Sequence, residues 1–195
     1  MIARPWVVLL AAGASRRFGS PKQLARIGGQ TLLRRMARIA LAGRPAGCVV
    51  VLGARAERLR RELAGLDVRV VVNSRWRAGL SRSLAAGVAA LPPDARAALV
   101  LLADQAAIGP ADLELLRACW RRAPRRIVAA CTEGKFGPPA ILPRAVFPAL
   151  RRLRGDAGAR DMLRDPRRGV VGIELPGAAL DIDRPSDLAG LWRRG

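Results

Sequence analysis

The sequence contains no histidine and no tyrosine in 195 residues. Imidazole acid–base catalysis is therefore excluded. So is a zinc site, because Cys48, Cys119 and Cys131 are too far apart to form a ligand pair. Three widely spaced cysteines give no disulfide framework either. Cys48 and Cys131 fall in strand-like apolar runs and read as small core residues. No apolar run approaches the ~20 residues needed to cross a bilayer. Residues 1–6 lack a signal-peptide pattern. The expectation is a soluble, cytoplasmic protein with no membrane partner. Lysine is nearly absent too: Lys22 and Lys135 stand against 33 arginines. Aromatic residues make up 4 % of the chain, which leaves little for stacking on bases.

What is abundant is positive charge. The formal net charge is +20, which raises the question of nucleic-acid binding. The arginines are dispersed in pairs along the chain, at 16–17, 34–35, 60–61, 121–122, 125–126, 151–152, 167–168 and 193–194. Excess arginine over lysine, with much alanine, fits a GC-rich genome. No nucleic-acid partner is expected. Affinity for small anions follows more directly, because a cleft focuses the field.

Strand-like and helix-like segments alternate. Strands are expected over 6–12, 48–54, 68–73, 97–104 and 126–131, with a last one over 170–174. Helices are expected over 31–41, 56–63, 80–91 and 110–122, with shorter ones over 145–150, 157–163 and 185–192. In the helix over 31–41, Leu32, Leu33, Met36, Ile39 and Ala40 share one face. Residues 139–142 read as extended, and the neighbouring prolines suggest an edge or a bend. The strands are continuously apolar, so both sheet faces are covered. Strand–helix alternation implies parallel crossovers. The expected fold class is α/β: a three-layer, doubly wound, mostly parallel sheet in a single domain over 1–195. Ligands bind such sheets beyond the carboxyl ends of the strands.

Three strand ends and one late segment carry polar chemistry. After the first comes "AAGASRRFGSPK", small residues followed by Arg16, Arg17 and Lys22. Its backbone amides and cations suit phosphate oxygens, although it matches neither the P-loop pattern nor the dinucleotide fingerprint. The strand "LVLLAD" ends in Asp104, where a carboxylate needs a cation or acts as a helix cap. "NSRWRAGLSRSL" offers Asn73, Gly79, Ser81 and Ser83, either as ligand contacts or as caps. In "LDIDRPSDL", Asp181 and Asp183 alternate and share one face of an extended segment.

Together these motifs resemble the MobA-like nucleotidyltransferases, and most closely the molybdenum cofactor cytidylyltransferases. "LLAAGASRRFGSPKQL", "NSRWRAGLSRSLAAGVAAL", "LLADQ", "RGDAGARDML" and "DIDRPSDL" carry the resemblance, which covers nearly the whole chain. It implies a nucleotide-diphospho-sugar transferase-like, Rossmann-type fold. It also implies transfer of CMP from CTP to the phosphate of molybdopterin, with Mg²⁺ as cofactor and pyrophosphate released. Arg17, Lys22 and Asp104 would be catalytic, and Asp104 and Asp183 would hold the metal. Nucleotide contacts would come from Leu10, Ala11, Ala12, Gly13, Ser15, Arg16, Arg17, Gly19 and Lys22. Asn73, Gly79, Ser81, Ser83 and Asp104 would add to them. A molybdoenzyme, or its insertion chaperone, would receive the product.

Two positions depart from the family pattern. Pro138 takes the place of the family's usual histidine, which bears on the acceptor. Ala106 replaces the proline after Asp-Gln. Ala12, where guanylyltransferase relatives tend to carry glycine, favours a pyrimidine base. Guanylyl transfer, another phosphorylated acceptor, and a non-catalytic cofactor chaperone remain the alternatives.

Overall fold

Five successive apolar residues, Val7 to Ala11, can all be buried when both faces of a sheet are covered, and all five are. They belong to β1 (Trp6–Ala11). The computed structural model describes residues 4–153 and 158–187. In chain order the remaining strands are β2 (Arg26–Ile27), β3 (Gln30–Thr31), β4 (Cys48–Leu52), β5 (Arg69–Val72), β6 (Ala97–Leu102), β7 (Val128–Thr132), β8 (Lys135–Pro143) and β9 (Val171–Glu174). The α-helices are α1 (Leu32–Ala42), α2 (Ala56–Arg61), α3 (Leu80–Ala89), α4 (Pro110–Arg122), α5 (Phe147–Arg152) and α6 (Gly158–Arg164). Of the closing helix expected over 185–192, residues 185–187 are helical; the rest lies outside the described residues.

Seven strands form one sheet in the order β5-β4-β1-β6-β8-β7-β9. Every neighbouring pair is parallel except the two that β8 makes. Side chains alternate across it as a strand requires. Val7, Leu9 and Ala11 join the core beneath α1, α2 and α4, with Leu33, Met36, Leu59, Leu116 and Trp120. Val8 and Leu10 join the opposite core, with Leu84 and Val88 of α3, Phe147 and Leu150 of α5, and Met162 and Leu163 of α6. From β1 the chain runs outward to β4 and β5, then crosses to the other side of β1 for β6. The switch point, where such sheets open a crevice, lies between β1 and β6.

Of the edge or bend that the prolines near residues 139–142 suggested, the structure has the bend and not the edge. These residues belong to β8, which lies between β6 and β7. A proline cannot donate to a ladder, and the register shows how it is accommodated. Ala129 faces Ala140 but Ala130 faces Gly137, so Pro138 and Pro139 occupy a bulge. Pairing with β6 uses only Ala140 to Pro143. Bulges are one of the few places where a sheet tolerates proline.

The β2–β3 hairpin was not anticipated. Its turn is Gly28-Gly29, with φ of 58° and 78°. Two successive residues at positive φ make the tight turn that matches strand twist, and glycine adopts it without strain. Among the described residues no helix is long and apolar enough to cross a membrane. The cysteines are free. Cys131 is only partly buried, at the end of β7 where the core thins.

Candidate active site

A cleft of about 640 Å³ opens at the carboxyl ends of β1 and β6. One wall is the loop after β1. Leu10, Ala11, Ala12, Gly13, Ala14 and Ser15 line it, followed by Arg16, Arg17 and Phe18 in a short 3₁₀ turn. Gly19, at φ 77°, ends that turn. Lys22 begins a second 3₁₀ turn that aims its side chain back into the cleft. The floor is Leu102, Ala103 and Asp104, which continue β6. The far wall is Trp76, Arg77, Gly79, Leu80 and Ser83, from the segment leading into α3. Asp181 and Asp183 close the side.

Backbone pairing brings the distant pieces together. The Ala103 amide donates to the Leu10 carbonyl at 3.0 Å, which aligns the ends of β1 and β6. The Ile182 amide donates to the Asp104 carbonyl at 3.0 Å, which sets Asp183 beside Asp104 across 79 positions of sequence. Lys22 joins the two carboxylates. Its Nζ lies 2.6 Å from Asp104 Oδ2 and 3.1 Å from Asp183 Oδ1. Arg17 Nη2 lies 2.8 Å from the other oxygen of Asp183. Burial alone would lower the Lys22 ammonium, but Asp104 and then Asp183 outweigh it, so the group is held above its usual 10.5. Lys22 is charged at every pH at which the protein would work.

Not every residue of the expected nucleotide set faces the cleft. Ser81 is buried in the first turn of α3, 1 % exposed, and does not line it. Asn73 is also buried and acts one step back. Its Nδ2 donates to Ser83 Oγ at 3.0 Å, and its Oδ1 accepts the Arg75 amide. Gly19 shapes the loop without lining the cleft. Conversely, Trp76, Arg77 and Leu80 line the cleft and were not singled out. The Arg77 guanidinium sits 4.5 Å over the Trp76 ring. Gly53 backs this wall: a Cβ there would lie 2.6 Å from Trp76 Cβ and 2.7 Å from the Ala12 carbonyl oxygen.

The donor set fits a hard divalent ion. Carboxylate oxygens from two separate segments approach one atom, Lys22 Nζ, within 3.1 Å. Magnesium is typically held by one or two carboxylates, the rest of its shell being water and phosphate oxygen. Among the described residues no group of three or more Asp, Glu, Cys or His side chains could form a metal cage by itself. A site of two carboxylates leaves the rest of the shell to water and to a phosphate ligand.

A small-residue loop with cations, facing two carboxylates across the switch point of a doubly wound sheet, defines a nucleotide-handling α/β protein. The chain belongs to the MobA-like NTP transferase domain family, whose model matches residues 7–170. It is 35 % identical over 166 residues to nicotine blue oxidoreductase of Paenarthrobacter nicotinovorans, covering 80 % of each chain. It is 30 % identical over 193 residues to the purine catabolism protein PucB of Bacillus subtilis, covering 92 % of each. Among solved structures, Rv0371c of Mycobacterium tuberculosis superimposes with a TM-score of 0.87 at 28 % identity, over 99 % of this chain and 100 % of that one. The same protein complexed with manganese gives a TM-score of 0.83 at 27 % identity, with the same coverage. The reaction of this family is transfer of a nucleotidyl group from a nucleoside triphosphate to a phosphorylated acceptor.

Proposed function

We propose that the protein moves CMP from CTP to the terminal phosphate of a molybdopterin-type acceptor and releases pyrophosphate. The observation that carries the reading is Lys22, held between Asp104 and Asp183 against the small-residue loop. Phosphoryl chemistry asks a protein mainly for positioning and charge stabilisation. Lys22 offers a compact charge to the α-phosphate and the leaving pyrophosphate. Arg17, whose side chain is 73 % exposed, would exchange its ion pair with Asp183 for the β- and γ-phosphates, which its planar fork suits. Asp104 and Asp183 would hold Mg²⁺, which when bound offsets the charge of the triphosphate. Gly79 and Ser83 would meet the base and ribose, with Asn73 fixing the Ser83 hydroxyl.

Ala12 supports the pyrimidine. It lines the cleft, and its carbonyl accepts the Ala54 amide at 3.1 Å. That bond ties the loop to the segment after β4, so a purine that displaced Ala12 would have to break it. CTP is expected to be used at least tenfold better than GTP, a gap of about 1.4 kcal/mol. Ala12→Gly should narrow the ratio without reversing it.

The test is pyrophosphate release by the purified protein with each of the four nucleoside triphosphates, with and without molybdenum-bearing molybdopterin. CTP-dependent release requiring that acceptor supports the reading. Release with GTP, or with a different phosphorylated acceptor, replaces the substrate and keeps the chemistry. Because one relative is named an oxidoreductase, NADH oxidation is followed in parallel. Hydride transfer without pyrophosphate release would overturn the reading.

A further inference from the structure

Gln23 is a glutamine inside the core, 3 % exposed, directly after the lysine of the phosphate loop. Its side chain uses both ends. Nε2 donates to the Ala11 carbonyl at 3.2 Å and to the Gly13 carbonyl at 2.8 Å. Oε1 accepts the Ser15 hydroxyl at 3.1 Å. One amide group thus ties three alternate residues of the loop to a single point. Ser15 needs such a tie, because it has φ 55°, a left-handed conformation that non-glycine residues seldom adopt.

Peptide planarity turns this into a statement about the cleft. In a trans peptide the carbonyl of one residue and the amide of the next point in opposite directions. With the Ala11 and Gly13 carbonyls aimed at Gln23, the amides of Ala12 and Ala14 aim away from it. Ala12 and Ala14 both line the cleft. Two amides presented in this way, from alternate residues of one loop, can donate to the oxygens of an anion.

We propose that Gln23 is a positioning residue: by holding the Ala11 and Gly13 carbonyls and the Ser15 hydroxyl, it turns the loop's amides toward the triphosphate. The proposal rests on the nucleotide reading above. Gln23 is 3 % exposed at the back of the cleft that it helps to line, and its side-chain amide is taken up by the loop. A different side chain there keeps Lys22, Asp104 and Asp183 in place but loosens the amides. The expected signature is a weaker grip on the triphosphate rather than a lost fold.

Two variants test it. Gln23→Met conserves length and volume, which cores tolerate, but removes the amide that the two carbonyls share. Gln23→Glu replaces the donor with a carboxyl, and burial raises the carboxyl's titration toward neutrality. Ionised, it repels both carbonyls; protonated, it donates again. The chain has no histidine, so a pH effect of this kind stands out against the parent protein. CTP binding is measured by calorimetry with Mg²⁺ at pH 5.5 and pH 8, per folded molecule from parallel circular dichroism, and each variant is divided by the wild type. That ratio cancels ionisation of the nucleotide itself. Gln23→Met is expected to bind about tenfold more weakly at both pH values, the scale of orphaned polar groups. Gln23→Glu is expected to be as weak at pH 8 and to recover to within about threefold at pH 5.5. Wild-type binding by both variants, or a Gln23→Glu defect that is equal at the two pH values, overturns the proposal alone. A wild type that binds none of the four triphosphates overturns the nucleotide reading, and this proposal with it.

Discussion

At the scale of the residue, Lys22 has two opposed roles. It is the cation that Asp104 and Asp183 share, and it is the cation a triphosphate would meet. Lys22→Ala should lower turnover by about two orders of magnitude, the cost of losing one charge-stabilising contact at a reacting centre. The same variant should bind Mn²⁺ at least as tightly as the parent, because it frees two carboxylates from an ammonium 2.6 and 3.1 Å away. Single-turnover kinetics and a metal titration on one preparation read both effects, and a variant that loses metal affinity would show the lysine to be a scaffold. Asp104→Asn and Asp183→Asn should each raise the metal concentration needed for activity about tenfold or more, since a neutral amide is a poor ligand for a hard cation. Asp181→Asn should raise it far less: Asp181 lines the cleft, but the Lys22 contacts go to the other two carboxylates. A metal titration of the three variants in which Asp181→Asn is the most affected would move the ligand to that position. Lys22 was legible in the sequence because lysine is so rare there. Gln23, its neighbour, carried no such signal. A glutamine means nothing until the loop curls over it, and the curl depends on the left-handed Ser15 that Gln23 itself holds. Trp76 was illegible for a similar reason: it reaches the cleft only because Gly53, far away in sequence, leaves room for it.

At the scale of the element, the longest unbroken apolar runs of the sequence became inner strands of the sheet. β1, β4 and β6 are unbroken apolar runs, and only burial on both faces rewards such runs. β8 broke the rule, since its prolines belong to a bulge whose existence depends on register with β7. Register is a property of two strands, so one segment could not reveal it. The glycine pair of the β2–β3 hairpin did carry a signal, but its two-residue strands are too short for alternation to show. α3 offers a quantitative contest between local and tertiary preference. Gly87 lies within this helix, where alanine would be favoured by roughly 1 kcal/mol. A Cβ there would meet Val8 Cγ1 and would lie 2.9 Å from Val51 Cγ2, both on central strands. Overpacking a core costs about 1–3 kcal/mol, and these neighbours cannot rotate away cheaply. Packing should win. Gly87→Ala is expected to destabilise the protein by about 1 kcal/mol or more by urea unfolding. A stabilised variant would mean that α3 can lift off β1 and β4.

At the scale of the whole molecule, the absences set the response to pH. With no histidine in the chain, no side chain has an ordinary titration between about pH 5 and 8. The carboxyls of Glu114, Asp165 and Asp187 are held low by neighbouring arginine side chains or backbone amides, which moves them further from that window. Stability should therefore be level across it, and any pH dependence of turnover there should belong to the substrate phosphates. The alkaline side is different. Burial, with a smaller push from Asp67, raises the Cys48 thiol to about 12. In the unfolded chain the same thiol ionises near its ordinary 9.0. Above pH 9 the unfolded state therefore binds fewer protons than the folded one, and linkage makes stability fall as pH rises. The fall continues until Cys48 ionises in the folded state near 12. Lys22 does not share the lower part of this range. Its value is raised above 10.5, so its stabilising contribution is intact until the pH passes 10.5 and is lost only beyond. Between pH 9 and 10.5 the slope is expected to belong to Cys48, at most about 1.4 kcal/mol per pH unit. Urea unfolding at pH 8, 9, 10 and 10.5 reads it directly. Cys48→Ala lowers stability at every pH through lost packing, but it should remove the slope, because the buried thiol that is raised in the folded state is gone. A slope that survives in Cys48→Ala would place the titrating group elsewhere in the chain.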